Sequence, residues 1–488
     1  MNKKIATVSS VMALSSGVIL AETLTLSMEE AVAAALDRNY AIQIERIEPQ
    51  IAEQEIRAAT GAFDPVLQSE LEYRNSELTG FTRNQESTSG SVSVGSTLPI
   101  GTQLQATVQV NERTTPFDPF TGEFSEIIST SETTFTGIVV TQPILRGFGK
   151  DGTYAGVRIA RESSDISWQT FRAEVMDTVQ STVTAYENLY FAQENLRIAE
   201  RNRDLALQLL KDNKKRVETG SMASLDIVQA ESEAALREVS VISARAVLQQ
   251  ARNFLKSLIW DNPESVLDLD LNIIPPDEPD FFEPVISRDY QIALQNQPEY
   301  LSAVSGLNIR EIQVRNTKRN ALPQLDLVGS AGRTRLETGF GDSMDGEFSD
   351  SNMSYSMGLV LSVPFPNKTR SAEKAQAYLR RNQAQLGVKQ LEQNIRLQLD
   401  NAATQLTADW ERIQAARIAR ELAEKSLEAE EKKLQAGTST TFVVLRLQGD
   451  LAIAEIREIN ALSDYIVSLA NYNRARGKIL DTFNIQLQ

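Results

Sequence analysis

The sequence predicts an α+β protein organised as a tube, in which alternating strands run into helical rods far too long for a globular core. Three observations predict it. Two segments match without a gap at a constant offset of 258 residues: Ala35-Leu36 answers Ala293-Leu294, Ile51 answers Ile309, Glu53 answers Glu311, Arg57 answers Arg315 and Pro65 answers Pro323. A fixed internal repeat of this kind marks one supersecondary unit built twice. Each copy then passes through a proline into sequence that alternates polar and apolar residues, as strands with two unlike faces do. Finally, each copy contains an amphipathic run of more than sixty residues without proline, several times the length of a typical helix.

The 488 residues carry 49 Lys and Arg against 65 Asp and Glu, a net charge of -16, with 41% apolar side chains. A chain this acidic lacks the basic footprint that phosphate binding needs, so nucleic acid is not an expected partner. The acidic excess has two readings: a well-solvated surface, or a negative interior field that favours cations. With no cysteine and no histidine, disulfides, thiolate nucleophiles, Cys-based zinc sites and His-dependent triads are excluded. Cysteine absence also suits an exported protein. Carboxylates are plentiful, yet none forms a pair in an apolar setting where a shifted pKa is arguable. No enzyme, cofactor or metal site is therefore expected.

Taken in order, Asn2-Lys3-Lys4, the apolar and small stretch Ile5 to Leu20, and Ala21 read as a cleavable signal peptide over 1–21. The first copy of the repeat covers 22–260. Its start, Leu24 to about Thr60, has helical spacing, broken near Asn39 and again before Pro49. Between Asp64 and Gln142 the period changes to two: Ser91 to Gly95, Gln103 to Val110 and Thr136 to Thr141 alternate, with Asn, Gly, Ser and Thr between them. From Tyr154 to Val217 apolar residues step by three and four through Trp168, Phe171, Val175, Val179, Val183, Tyr186 and Tyr190. At ~1.5 Å per residue this rod is ~95 Å long. Its opposite face is Glu, Arg, Gln and Asn, so the narrow apolar seam must pack on neighbours in a coiled-coil manner. The chain reverses at Thr219-Gly220-Ser221 and returns as a helix from about Leu225 to Ile259.

A Pro- and Asp-rich linker, 261–287, joins the copies and ought to lie outside any tube. The second copy, 288–488, has strands at about 323–364, with Asp342 to Gly346 as a turn and Met357 to Val363 as a strand. Its rod, Ala372 to Leu434, carries Leu391, Ile395, Leu399, Leu406, Trp410 and Ile413 on one stripe. It reverses at Ala436-Gly437-Thr438 into a helix from about Phe442 to Ile479. The span Pro65 to Pro143 is 37 residues longer than Pro323 to Pro364. That excess fits one additional hairpin about the tight turn Leu98-Pro99-Ile100-Gly101, with part taken by a loop at Thr114 to Ile128. Beyond the leader no run approaches ~18 apolar residues, so entry into a membrane requires a closed β-barrel.

The two hairpin tips carry a family resemblance. Arg216 to Glu231, with Thr219-Gly220-Ser221 and Leu225-Asp226, and Lys433 to Leu445, with Gly437-Thr438 and Phe442-Val443-Val444, resemble the periplasmic tips of the TolC-type outer-membrane efflux family. Thr25-Leu26-Ser27-Met28-Glu29-Glu30-Ala31 resembles that family's opening segment, and Thr141-Gln142-Pro143-Ile144-Leu145 its strand-to-helix junction. The resemblance covers essentially the whole mature chain. It implies a homotrimer in the outer membrane with a large periplasmic portion, in which a shared transmembrane β-barrel continues as an α-helical barrel. The family norm it implies is four strands per chain; the extra hairpin would either widen the barrel or project outside it. A periplasmic adaptor docked on the tips, an inner-membrane transporter and passive conduction to the exterior are further implications.

The resemblance places adaptor docking at Thr219, Gly220, Ser221 and Leu225 in the first tip and at Gly437, Thr438 and Ser439 in the second. Where the family's resting closure uses acids past the second tip, this chain has Val443 and Arg446, and Asp226 is the surviving acid. Closure would then rest on apolar contact at Val443 and Val444, or on pairing of Arg446 with Asp226; alternatively Asp226 only answers its helix dipole. Two rival functions remain on the sequence: a type I protein-secretion conduit using the same tunnel, and a periplasmic coiled-coil scaffold. The scaffold explains the rods but neither the leader, the alternation nor the duplication.

Overall fold

The structure, a computed structural model, describes residues 23–77, 84–115, 129–220, 223–261, 270–337 and 352–487. The expected leader, Ser221, the turn expected at 342–346 and residues 116–128 of the expected loop lie outside them. The first half of the chain forms β1 (Thr23–Leu26), α1 (Met28–Arg38), α2 (Tyr40–Glu45), α3 (Glu48–Thr60), β2 (Val66–Glu77), β3 (Asn84–Thr97), β4 (Gln103–Thr115), β5 (Ser129–Pro143), α4 (Ala155–Glu218) and α5 (Ser224–Ile259). The rest forms β6 (Asp270–Ile273), α6 (Ile286–Asn296), α7 (Pro298–Asn320), β7 (Gln324–Glu337), β8 (Asn352–Ser362), α8 (Lys368–Gln435), α9 (Thr441–Ala475) and α10 (Ile479–Thr482). Two compact units result, and each draws on both halves. One takes the segment ending at Ile44, Glu174–Asn296 and the chain from Ile395 onward; the other takes Glu45–Ala173 and Gln297–Asn394.

The first unit is helical. The stripes expected on the rods are its interior: Val175, Val179, Val183 and Tyr186 of α4, and Ile395, Leu399, Leu406 and Ile413 of α8, are all buried. Tyr186, Leu189, Leu255, Ile259 and Leu271 meet Ala31 and Ala35 in one cluster. Here one expectation is corrected, because the chain at Leu24 is strand rather than helix: β1 pairs in parallel with β6. That pairing joins residues almost 250 apart, and local spacing carries no sign of it. The Tyr186 hydroxyl holds the pair, lying 3.0 Å from the Leu26 carbonyl and 2.6 Å from that of Ile274. The helix begins only after Ser27, whose hydroxyl accepts from the Glu30 N–H at 3.2 Å while the Glu30 carboxylate accepts from the Ser27 N–H at 2.9 Å. This reciprocal capping box satisfies two otherwise orphaned donors. Segment 261–287 is anchored as well as connecting, since it supplies β6, and the Tyr465 hydroxyl donates to the Asp280 carbonyl (2.9 Å) and accepts from the Phe282 N–H (3.0 Å).

The second unit holds one antiparallel sheet in the order β2-β3-β4-β5-β7-β8. Its strands are 12, 14, 13, 15, 14 and 11 residues long. Pairing is one-to-one along every ladder, so side chains sort cleanly onto two faces. Leu67, Leu71 and Tyr73 share one face with Val92, Val94, Ala106, Val108, Ile138, Ala331, Tyr355 and Met357. The other face carries Gln68, Glu70, Ser91, Ser93, Gln105, Thr107, Ser330 and Ser356. Where β5 meets β7, Gly137 stands opposite Gly332. A Cβ on Gly137 would lie 2.6 Å from the Ala331 carbonyl oxygen, one on Gly332 would lie 2.5 Å from that of Thr136, and the Phe135 ring covers both. The backbones meet there too closely for any side chain but hydrogen. Among the described residues no helix is long and apolar enough to cross a membrane.

Candidate conduit faces and docking tips

Every strand of the sheet has at least 11 residues, enough for the ~9–11 that a tilted strand needs to span a bilayer. The apolar face is left uncovered by its own chain: Leu71 is 82% exposed and Met357 83%. An apolar surface of that extent calls for lipid or another protein against it. Toward the strand ends remote from the helices the same face turns charged, with Arg333 opposite Thr136, Arg335 opposite Thr134, and Glu112 opposite Glu132. The opposite face is hydroxyl- and amide-rich and suits water. One sheet therefore presents oil on one side and water on the other.

In the first unit the tips are built by helix reversal. Gly220 has φ +74° and Gly437 φ +75°, a left-handed conformation that glycine adopts without a Cβ penalty. At the second tip the Thr438 N–H donates to the Lys433 carbonyl (2.9 Å) and the Gly437 N–H to that of Leu434 (3.1 Å), the bonding of a Schellman C-cap. The Gly220 N–H makes the corresponding bond to Val217 at 2.9 Å. Among the described residues nothing lies within 4 Å of where a Cβ would stand on either glycine. Thr219, Leu225 and Thr438 are exposed, and the half-buried Ser439 donates its hydroxyl to Glu430 at 2.6 Å. Beside the tips a groove of about 560 Å³ is lined by Val228, Ser232, Arg237, Phe442, Leu445 and Arg446 among others.

The four residues expected at the constriction separate in the structure. Val444 is buried at 2% exposure in the interior of its own chain, whereas Val443 stays at the surface. The Arg446 guanidinium lies 3.8 Å from Asp450, one helical turn along. Asp226 stands in the first turn of α5, where a carboxylate complements the helix dipole.

Several carboxyls are buried that no sequence motif marks, Asp289 and Glu187 among them. Asp289 is fully buried. It accepts from the Tyr472 hydroxyl (2.6 Å), the Val285 N–H (3.1 Å) and Arg288 Nε (3.1 Å), with Arg476 Nε 3.6 Å away. Burial works to raise its pKa, but these donors and charges outweigh it and hold the carboxyl below its ordinary value. Glu187 is the opposite case. Both of its oxygens and the Ser463 hydroxyl are buried without a hydrogen-bond partner. Burial pushes its pKa up to about 8. A sequence signal existed, since position 187 falls on the apolar seam between Val183 and Tyr190.

The sign of the Glu187 effect is fixed by the two states. The unfolded carboxyl loses its proton near 4.5 and the folded one near 8, so stability falls as pH rises through that window. The full effect is on the order of 4–5 kcal/mol. Glu187→Gln should therefore unfold at a higher temperature than the parent at pH 9 and at a similar temperature at pH 5. Parallel Tm-against-pH curves for the two proteins would refute this.

A sheet with one oily and one wet face, carried with rods of 64 and 68 residues, defines a membrane-embedded conduit rather than a catalytic cleft. The family model described as outer membrane efflux protein matches residues 129–259 and 290–478, and the chain belongs to that family. It is 24% identical over 344 residues to the outer membrane efflux protein BepC of Brucella suis, covering 70% of this chain and 72% of that one. It is also similar to the alkaline protease secretion protein AprF of Pseudomonas aeruginosa, at 21% identity over 66% of each chain. The crystal structure of the Campylobacter jejuni CmeC outer membrane channel superposes with a TM-score of 0.67 at 14% identity, covering 93% of this chain and 86% of that one. This chain is thus an outer-membrane efflux channel with a large periplasmic portion, in a family of channels rather than enzymes.

Proposed function

We propose that the protein is the passive outer conduit of a tripartite efflux system. Three copies join their sheets into one barrel through the outer membrane and their rods into an α-helical barrel below it. A periplasmic adaptor docks on the tips, and an inner-membrane transporter supplies the cargo. The observation that carries this reading is the two-faced sheet with unpaired outer strands, because an open edge cannot stay in lipid. The internal repeat at an offset of 258 residues supports it, since two like units per chain suit a quasi-symmetric ring. Docking is assigned to Thr219, Gly220, Leu225, Gly437, Thr438 and Ser439, with Ser221 in the same turn by sequence. Asp226, Val443 and the exposed Arg446 narrow the periplasmic mouth, while the buried Val444 backs Val443 from within the chain.

Gly220→Trp and Gly437→Trp test the docking. Left-handed backbone costs a non-glycine residue ~1–2 kcal/mol, and open space around each glycine leaves the ring free to stand in a partner's way. Each variant is expected to keep its oligomer and lose cross-linking to the adaptor. Cross-linking at the parent level would reject the tips as the docking site. A second reading, conduction of secreted polypeptide, is favoured by the similarity to a protein named for alkaline protease secretion. Loss of a secreted polypeptide, without sensitisation to small toxic solutes, in a strain lacking the gene would select it.

A further inference from the structure

We propose that β2 of one copy pairs with β8 of the next, so that three copies close a barrel of eighteen strands, six from each. This rests on the trimeric conduit reading and deepens it. The cargo class it admits is solutes or chains of larger cross-section than a barrel with four strands per chain would pass.

The hairpin of β2 and β3 is a full member of the sheet. β3 is in register with β2 on one side and β4 on the other along its length. Leu71 reaches over Gly90, and the Ser96 hydroxyl donates to the Phe63 carbonyl at 2.8 Å. The turn joining β3 to β4 is locked to the segment that follows β5: the Gly149 N–H donates to the Ile100 carbonyl at 2.9 Å. Gly101, at φ +96°, has its Cβ position 2.6 Å from the Gly147 carbonyl oxygen. A hairpin that merely projected would not be built into the strand-to-helix junction.

The outer strands lack most of the devices that protect a solvated edge, charges on β2 excepted. Neither Val66–Glu77 nor Asn352–Ser362 contains lysine or proline, their ladders have no bulge, and β8 has no charged residue. Glu70, Glu72 and Arg74 of β2 all fall on the polar face, whereas Leu67, Leu71 and Tyr73 continue the apolar face to the very edge. Six strands alternate in direction, so β8 meets a neighbour's β2 antiparallel, as every other pair in the sheet does. Barrel diameter grows roughly linearly with strand number, which makes eighteen strands about half again as wide as twelve.

The absence of cysteine makes the test clean. In the full chain in outer membranes, cysteines are placed pairwise on the polar face and stepped along each edge to cover the register. One set joins β2 (Glu72→Cys or Arg74→Cys) to β8 (Ser354→Cys or Ser356→Cys); a second joins β4 (Thr107→Cys or Gln109→Cys) to the same β8 positions. Arg74→Cys with Ser87→Cys, opposite one another within the chain, reports that the sheet has formed. The expected result is a covalent trimer on oxidation for the β2–β8 set, and none for the single variants or the β4–β8 set. Linking by β4–β8 alone, or by neither set while the internal control links, overturns the eighteen-strand closure and leaves the conduit reading standing. A parent protein that runs as a monomer before and after heating removes the conduit reading itself.

Discussion

Asp289→Ala should lower stability by about 3–5 kcal/mol, the cost typical of removing one partner from a buried ion pair. Asp289 opens α6, and its acceptor oxygens gather donors from α9 and from the residues just beyond it. Arg476 is 13% exposed and lies over the rings of Phe282 and Tyr472, at 5.2 and 5.7 Å from their centres. Without the carboxylate the largely buried guanidinium loses its counter-ion and the Tyr472 hydroxyl its acceptor, which costs more than the lost bonds themselves. Because its pKa lies below the ordinary 3.8, the stabilisation is complete above that value and fades only as pH falls through the folded one. Thermal unfolding in detergent at neutral pH measures the loss. A midpoint unchanged from the parent would mean the network is ornamental.

Gly137→Val should prevent β5 and β7 from pairing. The new side chain would push against the Ala331 carbonyl and the Phe135 ring, each 2.6 Å from the Cβ position. Overpacking a well-fitted core costs ~1–3 kcal/mol, and here the obstacle is a backbone that cannot turn aside as a side chain could. Since this ladder joins the first four strands to the last two, its loss divides the sheet. Gly358→Val is the control, since nothing lies within 4 Å of its Cβ position. The variant at 137 is expected to lose heat-modifiable mobility and outer-membrane recovery, and the variant at 358 to keep both. Equal behaviour of the two would contradict the close approach.

Much of this was legible in the sequence. The rods expected at 154–217 and 372–434 appear as Ala155–Glu218 and Lys368–Gln435, because a seam repeated every three or four residues over sixty positions has no competing interpretation. The reversals at Gly220 and Gly437 were legible because only a left-handed residue ends these helices as they end. The strand count was not. β3 reads Asn-Gln-Glu-Ser-Thr-Ser-Gly through its first half, with serine on the wet face and threonine or glycine on the oily one, so hydropathy shows no alternation until Val92. Membership there is decided by the ladders to β2 and β4, which are non-local. The same holds for Asp289, whose partners Tyr472 and Arg476 lie more than 180 residues away. Past the second tip, helical phase decided what spacing could not: Val443 and Val444 are adjacent, yet one faces outward and the other inward.

Both strand sets begin and end at helices on the same rim: α3 feeds β2 and β5 feeds α4, while α7 feeds β7 and β8 feeds α8. Such a set obeys a parity rule. An odd number of crossings would deliver the chain to the wrong side of the membrane and leave a rod stranded outside the cell. In the barrel proposed above, girth can therefore change only by whole hairpins, two strands for each copy at a time. The four-plus-two arrangement of this chain is one such quantum added to one half alone.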